Sequence, residues 1–178
     1  MTTTFRRLRP GRALAALALA GTAVLAPTVP AHASSGDLCY RVQVATKGWA
    51  GWECNGAWAG TMGKALPIMA VQFKTSVGQV CMGAHRSDYG WDGRDVCAKP
   101  GQVQQIGDPS TTPIEAIRFY GRGANGDWID GNAYVRNTGW LPGKSVSDVW
   151  NVPTQSYIAM IGTTGEAKSI ETLWFAWI

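Results

Sequence analysis

The segment Pro67-Ile68-Met69-Ala70-Val71-Gln72-Phe73 returns twice along the chain, as Pro113-Ile114-Glu115-Ala116-Ile117-Arg118-Phe119 and as Ser169-Ile170-Glu171-Thr172-Leu173-Trp174-Phe175. All three copies keep Ile at the second place, an aliphatic residue at the fifth and Phe at the seventh. The fifth and seventh places fall on one side of a β-strand and the sixth on the other. Val71/Phe73, Ile117/Phe119 and Leu173/Phe175 are therefore expected to make matching contributions to one core.

Upstream of each copy stands a Gly-Trp step: Gly48-Trp49, Gly90-Trp91 and Gly139-Trp140. Short alternating stretches precede it, such as Tyr40-Arg41-Val42-Gln43-Val44 and Ala133-Tyr134-Val135-Arg136. Period-two alternation reads as a half-buried strand, with Gly-Trp where that strand turns. The first and third copies also share Gly60-Thr61-Met62-Gly63 and Gly162-Thr163-Thr164-Gly165, whose second Gly lies five residues before the shared Ile. Glycine reaches backbone angles closed to other residues, so a tight turn into the strand is expected there. The second copy has only Gly107 to Pro109 at this place and reads as diverged.

The four cysteines keep the same register. Cys39 and Cys81 each lie ten residues before a repeat Trp, Cys54 five after Trp49 and Cys97 six after Trp91. Four cysteines allow three pairings, and the symmetric one joins Cys39 to Cys54 and Cys81 to Cys97. Closing loops this short is worth ~3 kcal/mol each in the chain-entropy model.

An oxidising environment is expected from the N-terminus. Arg6, Arg7, Arg9 and Arg12 form a basic region, and an Ala/Leu-rich stretch from Ala13 to Ala26 follows. It ends at Pro27, Pro30 and the small-x-small site Ala31-His32-Ala33, the layout of a secretory signal peptide over residues 1–33 and too short for a transmembrane segment. The expected location is secreted, extracellular or cell-surface associated, where disulfides are the default. Without the leader's four arginines, twelve Lys+Arg face twelve Asp+Glu, so the positive charge of the full chain belongs to the leader. A neutral domain lacks the basic field that nucleic acid requires, and no nucleic-acid partner is expected.

No apolar stripe of helical period runs beyond two turns, so the expected class is all-β. The glycine-rich stretch from Gly121 to Asp130 reads as an exposed linker. Residues 34–178 are read as a single domain of three repeats, at about 38–77, 78–122 and 128–178.

The ordered set Gly-Trp, Asn55-Gly56, Ala59-Gly60-Thr61-Met62-Gly63 and Ile114-Glu115-Ala116-Ile117, echoed by Asn137-Thr138-Gly139-Trp140 and Ile170-Glu171, resembles the clostridial hydrophobic W (ChW) repeats of bacterial secreted and surface proteins. The cysteine pairs and the longer central loop of the third repeat depart from that pattern. The resemblance implies an exported protein whose repeats bind surface carbohydrate or protein, and it carries over no catalytic residues. Three similar units suggest closure about a pseudo-threefold axis, which removes exposed sheet edges. Such a repeat domain could be a β-prism or a β-trefoil. A β-prism-like arrangement is favoured over a β-trefoil, because each repeat shows two convincing strands and its Ile-x-Ala-Ile-x-Phe strand looks like those of β-prism proteins.

Chemistry that needs clustered side chains is sparse. His85 is the one histidine outside the leader, and alignment places it on the polar side of its strand beside Gln43 and Tyr134, as a solvated residue. A zinc site needs several N or S ligands at suitable spacing. Asp88, Asp92 and Asp95 surround Trp91, and Asp127 and Asp130 flank Trp128; neither group follows the calcium-loop order, and turn-forming aspartates are expected. No catalytic residue, metal or cofactor is expected.

Tryptophan is the outlying feature, with nine residues. Trp49, Trp91 and Trp140, in repeat register, are expected to be buried structural anchors. Trp52, Trp58, Trp128 and Trp150, in the variable stretches, are the candidate ligand-binding residues. A flat indole stacks on the apolar face of a sugar ring, and the same residues can anchor a protein partner. The expected function is a secreted non-catalytic binding module for an extracellular glycan or cell-wall polymer. The alternatives are a protein-binding adaptor, for which the apolar end Leu173-Trp174-Phe175-Ala176-Trp177-Ile178 is a cue, and a hydrolase.

Overall fold

Short alternating segments separated by glycine turns produce fifteen strands and no helix among the described residues, in three consecutive sets of five. A computed structural model describes residues 36–123, 127–146 and 158–178, with backbone alone for 144–146. The predicted leader and Trp150 lie outside the described residues.

The first set is β1 (Leu38–Val44), β2 (Gly48–Trp49), β3 (Glu53–Cys54), β4 (Ala59–Gly60) and β5 (Ile68–Thr75). The second is β6 (Gln79–Arg86), β7 (Gly90–Trp91), β8 (Val96–Ala98), β9 (Gln104–Gly107) and β10 (Ile114–Arg122). The third is β11 (Ile129–Val135), β12 (Gly139–Trp140), β13 (Lys144–Val146), β14 (Ala159–Gly162) and β15 (Ile170–Trp177).

Each set builds most of one antiparallel sheet and gives a strand away. The first strand of a set pairs with its second, third and fifth, as β1 does with β2, β3 and β5. The fourth crosses to a neighbour. β4 joins β15 in the third sheet, β14 joins β10 in the second, and β9 joins β5 in the first. Every five-stranded sheet is thus completed by another set, and the exchange runs once round all three. The donated strands cover edges that would otherwise offer unpaired backbone groups. The three sheets built alike are the all-β arrangement the repeats imply.

One bulge per sheet couples the exchange to the repeat. Met69, Glu115 and Glu171 are the extra residues, since Gln43 pairs with Ala70 but Val44 with Ile68, and the other two ladders shift at the same place. The donated strands end against these residues at Gly60, Gly107 and Gly162, all with positive φ. A Cβ on them would lie 2.2 Å from the Glu171 oxygen, 2.5 Å from that of Met69 and 2.2 Å from that of Glu115. Only glycine fits there. Gly107 is therefore the counterpart of Gly60 and Gly162. The second repeat diverges only beyond it, where Asp108 accepts Ser110 N at 2.9 Å in an Asx turn.

The core lies between the inner faces of the sheets. Phe73, Phe119 and Phe175 are all fully buried and occupy one register position, opposite Tyr40, Met82 and Gly131. Phe119 and Phe175 meet edge to face at 5.1 Å, as do Tyr40 and Phe175 at 5.6 Å. Gly131 makes room for this cluster, because a Cβ there would come within 2.6 Å of the Phe175 ring. The Tyr40 hydroxyl donates to the Ala57 carbonyl at 2.5 Å, and burial pushes its pKa up to about 12. Leu173, Phe175 and Trp177 are buried, and Trp177 Nε1 donates to Thr75 Oγ1 at 3.2 Å. The apolar C-terminus closes the core.

Both expected disulfides are present, Cys39–Cys54 and Cys81–Cys97, each joining cross-strand partners. Asp130 and Ser145 take that register position in the third sheet. Only the ends of the expected linker from Gly121 to Asp130 are strand, Gly121 and Arg122 in β10 and Ile129 and Asp130 in β11, with Gly121 and Ile129 buried. Opposing partners in both sheets override the local glycine signal.

Candidate functional site

The hairpin that follows each first strand decides where the repeat tryptophans go. Gln43 pairs with Trp49, His85 with Trp91 and Tyr134 with Trp140. Directly opposed residues share a face of the sheet. Gln43, His85 and Tyr134 alternate with inward Val42, Ala84 and Ala133, so the three tryptophans stand on the outer faces. Their equivalence holds, but their expected burial does not: Trp49 is 36% exposed, and Trp91 and Trp140 are half-buried. Among the described tryptophans only Trp177 belongs to the buried core.

The third sheet carries the largest aromatic face. Trp140 packs on Tyr134 at 5.8 Å and on Trp58 at 5.2 Å. Trp58 arrives with β4, from the first set, and is 59% exposed. Thr172 lies in the ladder between Tyr134 and Gly60, its Oγ1 buried and without a hydrogen-bond partner among the described residues. Asn132 and Trp174 pair one step along the same face. Strand exchange thus makes this surface composite, its exposed indole coming from the first set and the Tyr134–Trp140 pair from the third.

The outer face of the first sheet is cationic and aromatic. The Arg41 guanidinium stands 5.2 Å from the Trp49 ring and 5.0 Å from that of Trp52, and Lys74 Nζ lies 4.6 Å over Trp52. Arg41 Nε donates to Gln72 Oε1 at 2.8 Å, and Gln72 Nε2 to Gln105 Oε1 at 3.0 Å. This chain crosses from β1 through β5 to the donated β9.

On the second sheet the charges pair off. Arg118 stacks on Trp91 at 4.7 Å and binds Asp95 at 2.6 Å, while Arg86 binds Asp92 at 2.8 Å. Tyr120 is half-buried, and burial raises its pKa with help from the Asp95 charge. His85 does lie on the outer face, but it is not the solvated residue expected from alternation. Its side chain is 14% exposed, with Nδ1 3.2 Å from Oε2 of buried Glu115, whose Oε1 accepts Ser87 Oγ at 2.8 Å. The bulge at Glu115 breaks the alternation and brings the carboxylate under the imidazole. Ile158 and Met160 border Trp91 in an open pocket of about 340 Å³.

The described candidate tryptophans therefore do not form one site. Trp58 joins Tyr134 and Trp140; Trp52 joins Trp49 and Arg41. Trp128 is 50% exposed elsewhere, its backbone tied to Ile178 by two hydrogen bonds of 2.8 Å. Sequence reasoning missed Tyr134, Trp140 and Arg41. The outward side of each alternating strand was the available signal. Among the described residues, no group of three or more His, Cys, Asp or Glu could hold a metal ion, and no helix is long and apolar enough to cross a membrane.

Fold and faces define a class: an all-β domain of strand-exchanging sheets that present aromatic side chains outward. The family model described as Clostridial hydrophobic W matches residues 43–76, the stretch holding Trp49, Trp52, Trp58 and the Gly60–Gly63 turn. No curated protein and no solved structure matches the chain.

Proposed function

We propose that the protein is a secreted, non-catalytic module of three ChW-like repeats that binds an extracellular carbohydrate or cell-wall polymer through the aromatic face of the third sheet. The observation that carries this reading is the exposed Trp58 ring packed against Trp140, which in turn packs on Tyr134. A sugar presents C–H groups on one face and hydroxyls at its rim, which such a surface complements. Two disulfides support export. Of the aspartates a hydrolase would draw on, Asp92 and Asp95 are each held by an arginine. The cue for an adaptor is halved, since Leu173, Phe175 and Trp177 are spent on the core while Trp174 faces outward and Ile178 is 49% exposed.

Retention on immobilised neutral wall polysaccharide tests the proposal. Trp58→Ala should keep the fold and lower retention at least about tenfold, the loss of ~1.4 kcal/mol of stacking. A wild-type protein retained on no glycan or wall matrix, yet copurifying with a secreted protein, would establish the adaptor instead. Sugar release from the matrix would make it an enzyme.

A further inference from the structure

The three outer faces occupy equivalent places in the fold but differ in charge. Arg118 and Arg86 stack on Trp91 and Tyr89, and each is neutralised by an aspartate within 2.8 Å. In the third sheet the counterparts of Arg41 and Gln72 are uncharged Asn132 and Trp174, and the next outward row, where the first sheet has Lys74, carries the acidic Asp130. On the first sheet Arg41 and Lys74 also lie against indoles, yet neither has a carboxylate at ion-pair distance among the described residues.

From this we infer that the first-sheet face is an anion-binding subsite, taking the carboxylate or phosphate group of an acidic sugar polymer. Arg41 is prepared for that task. Two rings and the Gln72 amide fix its plane, and the hydrogen bond to Gln72 uses only Nε, leaving the two terminal nitrogens for a bidentate contact. Trp49 is 36% exposed beside it, and Gln105 adds an exposed amide. Lys74 lines a cleft of about 460 Å³ at the other end of the row. Asp37 shares that cleft and accepts Asn55 Nδ2 at 2.8 Å, so the anion belongs on the Arg41 side. Glu53 pairs with inward-facing Tyr40, across the strand from Arg41. The inference rests on the glycan reading for the nature of the polymer, and it assigns to a second face a ligand group that the third sheet does not bind.

Native affinity electrophoresis of the whole protein separates the two. Gels would contain polygalacturonate, a glycerol-phosphate polymer, or neutral hydroxyethylcellulose. At low salt the protein should be retarded by at least one anionic polymer, and the one that retards it identifies carboxylate or phosphate as the preferred group. Arg41→Gln with Lys74→Gln should weaken that retardation about tenfold or more, the scale of one lost charge-assisted contact, and leave neutral-polymer retention unchanged. Added salt should act in the same direction as the substitution. Lys47→Gln with Lys64→Gln removes as much charge from exposed positions elsewhere and should have little effect. Retardation by neither anionic polymer, with neutral retention intact, would overturn the anion subsite alone. Equal loss in both double variants would reduce it to bulk charge and overturn it too. Retention on no polymer of either kind would remove the glycan reading with it.

Discussion

At one register of the three sheets the inner face carries Phe73, Phe119 and Phe175, while the adjacent outward row carries Arg41 with Gln72, Gly83 with Arg118, and Asn132 with Trp174. The inner positions are nearly interchangeable, and their opposite numbers, Tyr40, Met82 and Gly131, vary only in how they share one volume. The outward positions have nothing in common beyond the tryptophan placed by each hairpin. Packing accounts for the contrast. An inner residue must fit neighbours from all three sets, so changes in volume are costly. An outer residue meets solvent and few neighbours, so its chemistry can diverge without disturbing the fold. Exchange of β4, β9 and β14 adds to this freedom, because each outer face combines residues from two sets.

The contrast is most exposed to test at the inner face. Phe175→Ala empties the junction where Phe119, Tyr40 and Gly131 meet, and should cost about 3–5 kcal/mol in urea unfolding. A cost near 1 kcal/mol would mean that the sheets collapse freely onto the gap and that the inner faces are not held to one shape.

Tyr40 sharpens the comparison, since it is the one member of that cluster with an ionisable group. Its pKa is raised from 10.0 to about 12 in the folded state, first by burial, with a smaller push from Glu53. The folded chain therefore holds the phenolic proton more tightly than the unfolded chain. Stability is fully present below about pH 10 and is lost as pH rises toward 12, by about 2–3 kcal/mol at 1.36 kcal/mol per unit. Half-buried Tyr120 shifts in the same direction, so the difference from Tyr40→Phe isolates the Tyr40 part. That variant should lose about 1 kcal/mol of hydrogen bonding at neutral pH and show a flatter alkaline limb. Superimposable limbs for the two proteins would sink the assignment.

Much of this inner face was legible in the sequence. The thrice-repeated segment placed the phenylalanines, and the cysteine spacing fixed the disulfides, because period and register survive in residues that must pack. The strand exchange was not legible. β4 has two residues and β9 and β14 four each, too few to show alternation, and their partners lie in other sets. The bulge at Glu115 hid the His85 contact for a related reason, since one extra residue reverses the side on which a carboxylate falls. The outward placement of the repeat tryptophans is legible as well: Gln43 and Tyr134 lie on the polar side of their strands, and a hairpin puts Trp49 and Trp140 on that same side.

That corrected placement yields the smallest effect expected and the most direct check on the division between faces. Trp49, Trp91 and Trp140 each keep part of the ring in solvent and lean on outward neighbours: Arg41, His85 with Arg118, and Trp58 with Tyr134. Burying an aromatic side chain completely is worth about 1.5–3 kcal/mol, so a half-buried one should contribute about 1 kcal/mol. Each Trp→Ala variant should therefore unfold only slightly more easily than wild type, well short of Phe175→Ala. Their binding phenotypes should diverge where their stabilities agree. Trp140→Ala should weaken retention on neutral polysaccharide, because Trp58 loses the ring that holds it in place. Trp49→Ala should weaken only the retardation by anionic polymer, because Arg41 loses one wall. A cost of 3 kcal/mol or more at any of the three would return that tryptophan to the core and with it the claim that the outer faces are free to specialise.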